Sequence, residues 1–240
     1  MLKNQENLFF IIGLGRSGTS LLQELMNTFD DFCNIGESRI YGDKITSLWT
    51  PVRRNEDFKP LENFIKEHWT KKNFVEKTPD SILCLKQLKK HFPNSNYLFL
   101  ERNPRDVLLS SLNMHVGSLD TFERYYHIDN LMMDENDLLL PREQYWAKLI
   151  LVEIYHQLIH KNEFQSKIII KYEDIINSPE KQLKKIEKHF GITVNFDQAK
   201  VILGKPSYST KETTKIIKSI DDKIAIDMIS TACRLWGYNF

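Results

Sequence analysis

The chain has 240 residues, 41% hydrophobic and 27% charged, which is enough apolar material for a buried core and enough charge for a hydrated surface. Thirty-three basic residues against 32 acidic ones leave a net charge of +1, which excludes a global field for nucleic acid or an anionic membrane and makes any anion site local. Three scattered cysteines without metal-ligand spacing fit a reducing compartment, and no segment reaches the roughly 20 apolar residues of a membrane span, so a cytoplasmic chain is expected.

The first apolar run, "LFFIIG" at 8–13, is short for a signal peptide, lacks a small-residue cleavage site and reads as a buried strand. It runs into Gly13-Leu14-Gly15-Arg16-Ser17-Gly18 and then into an apolar helical pattern from Thr19. Further β-rich runs stand at 73–77 ("NFVEK"), 96–102 ("NYLFLER") and 167–174 ("KIIIKYED"), each followed by a longer helical stretch. This alternation predicts a single α/β domain over residues 1–240, with a central parallel β-sheet flanked by helices.

Helix boundaries are chemically marked. Asn103 reads as an N-cap, with Pro104 at the first helical position and Asp106 in the first turn. Ser178-Pro179 opens "EKQLKKIEKHF" in the same way, and Gly191 closes it. Residues 116–140 and 203–215 carry no clean period and read as long loops on the substrate side.

A glycine-rich turn between strand and helix presents successive N–H groups and the positive end of the helix, which together suit an oxyanion. In this loop Thr19 stands where an ATP-binding loop would carry its lysine, while Arg16, Ser17, Thr19 and Ser20 supply a guanidinium and hydroxyls. No strand ends in an apolar run plus aspartate of the kind that holds magnesium; the strand ends are read as Lys77, Arg102 and Tyr172-Glu173. Carboxyl ends of parallel strands line the ligand crevice, so Lys77 and Arg102 should open beside the loop, with Ser110 eight residues, about two helical turns, beyond Arg102. A sulfuryl group carries less charge than a terminal phosphoryl group, so fixed side-chain cations can assist its transfer without a divalent metal. Two other readings stand beside this one: a P-loop phosphotransferase acting with magnesium, and a nucleotide-binding module without turnover.

Together these residues resemble the P-loop sulfotransferases that use 3′-phosphoadenosine-5′-phosphosulfate (PAPS). "GLGRSGTSLL" is similar to that family's 5′-phosphosulfate loop, with Gly15 where a proline is usual, and "RNPRDVLLS" to its 3′-phosphate motif. "KYEDI", "SPEKQLKKIEKHFGI" and "LWGYNF" resemble its later landmarks, and "NIGESRIY" and "VEKTPDS" point to the tyrosylprotein-type and bacterial members. The resemblance implies a P-loop NTPase-like sulfotransferase fold, PAPS as donor, adenosine 3′,5′-bisphosphate as product and no required metal. By it, Glu37 is the general base, Arg16 and Lys77 hold the transferring group, and Gly15, Arg16, Ser17, Gly18, Thr19, Ser20, Arg102, Ser110, Ser209 and Lys211 bind the donor. The implied acceptor bears a hydroxyl: a phenol, sugar, lipid or peptide tyrosine.

Other groupings read as structure. His156 and His160 share a helical face but lack a catalytic glutamate and a third ligand, the four tryptophans read as core anchors, and Lys184, Lys185 and Lys188 form a solvated helix face.

Overall fold

The computed structural model describes residues 4–34, 36–37, 39–40, 46–47, 57–114, 140–204 and 219–240. In chain order the elements are β1 (Leu8–Gly13), α1 (Thr19–Met26), β2 (Phe32–Cys33), β3 (Arg39–Ile40), β4 (Thr46–Ser47), α2 (Lys59–His68), β5 (Asn73–Glu76), α3 (Leu85–His91), β6 (Asn96–Glu101) and α4 (Pro104–Met114). There follow α5 (Arg142–His160), β7 (Lys167–Lys171), α6 (Tyr172–Asn177), α7 (Pro179–Phe190), α8 (Phe196–Leu203) and α9 (Lys223–Leu235).

Five strands form one sheet in the order β2-β5-β1-β6-β7, and every neighbouring pair is parallel. β3 and β4 make a separate antiparallel pair. All six residues of β1 are buried, as a central parallel strand covered on both faces requires. Its side chains alternate between two cores. Leu8, Phe10 and Ile12 pack with Tyr97, Phe99, Tyr145 and Ile229, whereas Phe9 and Ile11 pack with Leu22, Leu98, Ile170 and Ile186. Helices therefore cover both sheet faces, and the carboxyl ends of β5, β1 and β6 lie side by side, with Phe10 opposite Glu76 and Gly13 opposite Leu100.

The predicted α/β architecture is the observed one, with two local corrections. β7 stops at Lys171, and Tyr172 opens a helix instead of continuing the strand to Asp174, because Glu173 and Asp174 supply the acidic first turn that favours a helix N-terminus. β2 is an edge strand of two residues, too short for any period to reveal. The helix boundaries agree better: Asn103 Oδ1 accepts from Arg105 N at 3.0 Å, and Gly191 ends α7 in the left-handed conformation at φ 66°. Ser178 precedes Pro179 as expected but makes no side-chain cap. Most of the two long loops at 116–140 and 203–215, with Ser209, Lys211 and Trp49, lies outside the described residues.

Trp146 and Trp236 are buried core residues, and Cys33, Cys84 and Cys233 are buried too. Among the described residues no helix is long and apolar enough to cross a membrane. His156 Nδ1 donates to Ile82 O at 2.8 Å, and His160 Nδ1 meets Glu163 Oε1 at 3.0 Å, so both rings serve local structure.

Burial holds the His156 pKa below its ordinary 6.5, a shift that the nearby His160 reinforces and the Ile82 bond opposes. Below 6.5 the unfolded chain takes up a proton that the folded chain resists, so this stability is complete above that pH and is lost as pH falls through the lowered folded value. The thermal midpoint is expected to drop from about pH 7 to about pH 5. His156→Gln, which keeps a donor toward Ile82, should make the drop shallower in a pH series of melting curves.

Candidate active site

The loop after β1 is built around two left-handed residues. Arg16 has φ 68° and Gly18 has φ 97°, the latter as the N-cap of α1. Ser17 closes the turn by donating both its N–H, at 3.1 Å, and its hydroxyl, at 2.7 Å, to Leu14 O. A left-handed arginine costs about 1–2 kcal/mol. That cost is met by a charge-assisted bond, since Arg102 Nη1 donates to Arg16 O at 2.9 Å. Gly18 is required twice over, because a Cβ there would stand 2.4 Å from Tyr172 Cδ2. Nothing lies within 4 Å of the corresponding position at Gly15, so the fold places no demand for glycine there. The N–H groups of Thr19, Ser20 and Leu21, in the first turn of α1, have no carbonyl four residues back within the helix and face the loop side.

Lys77 follows β5 directly and is only 3% exposed. Its ammonium donates to Glu37 Oε1 at 2.7 Å and to Ser20 Oγ at 3.1 Å, tying a carboxylate to the first turn of the loop helix. Glu37 keeps 25% of its side chain exposed, against 4% for Lys77. Gln23 on α1 donates to Gly36 O at 2.9 Å, which holds the backbone beside Glu37 against the helix. Beneath this group the buried Thr78 donates to the buried Glu76 Oε1 at 2.6 Å.

On the other side of the loop, Arg102 follows β6 and its guanidinium lies 4.4 Å from the Tyr172 ring centroid. Arg102 Nε is buried without a hydrogen-bond partner among the described residues. Arg16 Nε donates to Ser110 Oγ at 3.4 Å, bridging the loop to α4. The structure thus gathers the loop at 13–20, Glu37, Lys77, Arg102 and Ser110 along one sheet edge; Ser209 and Lys211 lie outside the described residues. Tyr172, Gln23 and Glu76 were not anticipated. Only Tyr172 had a local signal, its place just beyond a strand end.

A family model described as the sulfotransferase family matches residues 55–197, more than half of the chain, including Lys77, Arg102 and Ser110. The chain belongs to the sulfotransferase family. Sulfuryl transfer is accordingly its activity, and a metal-dependent phosphotransferase is not favoured. Solved structures share the sulfotransferase fold at low identity. A sulfotransferase domain from the curacin biosynthetic pathway aligns with a TM-score of 0.58 at 15% identity, over 97% of this chain and 98% of that one. A sulfotransferase from Alicyclobacillus acidocaldarius gives 0.55 at 14%, over 100% and 98%. Mouse sulfotransferase SULT7A1 complexed with PAP gives 0.50 at 17%, over 94% and 76%. No curated sequence matches the chain.

The glycines of this sulfotransferase loop separate experimentally. Gly18→Ala, strained by its φ and by Tyr172, should lower stability by about 1–3 kcal/mol, whereas Gly15→Ala should stay within about 0.5 kcal/mol of the wild type in chemical denaturation.

Proposed function

We propose that this sulfotransferase takes its sulfuryl group from PAPS and passes it to a hydroxyl acceptor by in-line displacement. The observation that carries the reading is the pair of cations flanking the loop, the Lys77 ammonium beyond β5 and the Arg102 guanidinium beyond β6. Their spacing on separate strands suits a ligand with anionic groups at two ends. The buried Nε of Arg102 and the Gly18 approach to Tyr172 support the fit at the nucleotide side. The PAP in the mouse relative is adenosine 3′,5′-bisphosphate, the product this donor would leave.

When bound, the donor supplies an electrophilic sulfur and a bisphosphate leaving group. Glu37 takes the proton of the acceptor hydroxyl as its oxygen bonds to sulfur and the bond from sulfur to the bridging oxygen breaks. An ammonium has three N–H donors, and Lys77 directs two of them to Glu37 and Ser20. The third serves the negative charge that develops on the bridging oxygen, with the N–H groups of the first turn of α1 and the Thr19 hydroxyl. Placing base and cation in contact couples their tasks. As the growing charge draws the ammonium, its hold on Glu37 weakens and the carboxylate oxygen is freed for the acceptor proton. Arg102 and Ser110 hold the 3′-phosphate, and Arg16 spans from the loop to Ser110.

Calorimetric titration with adenosine 3′,5′-bisphosphate, ATP and adenosine 5′-monophosphate, with and without EDTA, tests the donor. The bisphosphate should bind tightest and be unaffected by EDTA, and Arg102→Ala should weaken it at least about tenfold. Equal affinity for ATP, or indifference to Arg102→Ala, would overturn the reading. Glu37→Gln should lower turnover about 10²- to 10⁴-fold while leaving bisphosphate binding unchanged.

A further inference from the structure

Glu101 of β6 and Lys171 of β7 are register partners, so the residues that follow them leave the sheet side by side. Two contacts join these exits. The Tyr172 ring lies under the Arg102 guanidinium, and Glu173 Oε1 accepts from Asn103 N at 2.9 Å. The Asn103 N–H belongs to the peptide that begins at the Arg102 carbonyl, so holding it sets ψ of Arg102 and with it the direction in which that side chain leaves. Asn103 is anchored further by its own Oδ1, which accepts from Arg105 N at 3.0 Å and from the Cys233 thiol at 3.6 Å.

The second oxygen of Glu173 is also committed. Tyr238 donates its hydroxyl to Glu173 Oε2 at 2.8 Å. Tyr238 is itself aimed by the end of α9, where Gly237 adopts φ 71° and Tyr238 N donates to Cys233 O at 2.8 Å. The Lys171 ammonium stands 4.5 Å from the Tyr238 ring centroid. Burial first, and then Glu173, push the Tyr238 hydroxyl above the ordinary tyrosine range, which favours the protonated form that donates to Glu173.

A carboxylate beside an anion site is a competitor unless it is restrained. Glu173 lies one residue from Tyr172, which touches Arg102, and Arg102 Nε has no partner among the described residues. With both oxygens engaged, Glu173 orients the 102–103 peptide and leaves the guanidinium to a ligand. Released from Tyr238, it could turn toward Arg102 and take the place of a phosphate.

We infer that Tyr238 is a positioning residue of the 3′-phosphate site, acting through Glu173 to keep Arg102 oriented and unneutralised. The inference rests on the donor reading above, and the two are separable by one experiment. Adenosine 3′,5′-bisphosphate and adenosine 5′-monophosphate are titrated against the full-length wild type, Tyr238→Phe and the double variant Tyr238→Phe with Glu173→Gln, with a melting curve for each. Tyr238→Phe keeps the ring and its Lys171 contact, and should weaken the bisphosphate about tenfold while leaving the monophosphate and the melting temperature unchanged. Glu173→Gln retains a carbonyl oxygen for Asn103 N–H and removes the competing charge, so the double variant should recover most of the lost affinity. Equal weakening of both nucleotides, no weakening of either, or no recovery in the double variant overturns the inference. A wild type that does not prefer the bisphosphate overturns the donor reading, and this inference with it.

Discussion

The whole site depends on one constraint, that β1 is a central strand with parallel neighbours on both sides. Parallel pairing sends every connection across a sheet face through a helix, so all carboxyl ends emerge at one edge. The register places the end of β1 between those of β5 and β6. Residues far apart in the chain, Lys77 and Arg102, therefore flank the loop without any contact having to be arranged separately. The side chains of β1 divide between the two cores, so packing on both faces holds the strand in this central place.

Charge is then managed locally. A chain with net charge +1 cannot draw an anion by its overall field, so the edge uses individual cations held by short-range contacts. Lys77 is buried but paired with Glu37, so its charge meets an opposite one inside the protein. Arg102 is held by an aromatic face and a carbonyl, contacts that fix the guanidinium without cancelling its charge. The two cations differ in their surroundings: one is shared with a carboxylate, the other keeps one donor without a partner among the described residues.

The loop also links the two sides. The carbonyl of left-handed Arg16 is bound by Arg102, and its guanidinium reaches Ser110 on α4. Conformational strain in the loop is therefore countered by residues of the adjacent strand exit, and the Gly18 approach to Tyr172 adds a third strand exit to the same cluster. Loop, β6 exit and β7 exit form one mechanical unit.

Much of this was readable from residue order because it is local chemistry. The buried run at 8–13, the glycines before Thr19, and the Asn103-Pro104 start of a helix each act within a few residues, so their types and spacing suffice to announce strand, cradle and cap. Strand alternation with helices likewise implied that Lys77 and Arg102 would share an edge. The pairs Lys77 with Ser20, Gln23 with Gly36, and Glu173 with both Asn103 and Tyr238 join residues whose separation along the chain carries no signal. Even the turn of Tyr172 into a helix set a ring against Gly18 that a longer strand would not have placed there. Residue order determined which groups were available and which ends they occupied. Sheet register and helix packing alone decided which of them touch, because hydrogen bonds act over about 3 Å and their partners are chosen by the folded backbone.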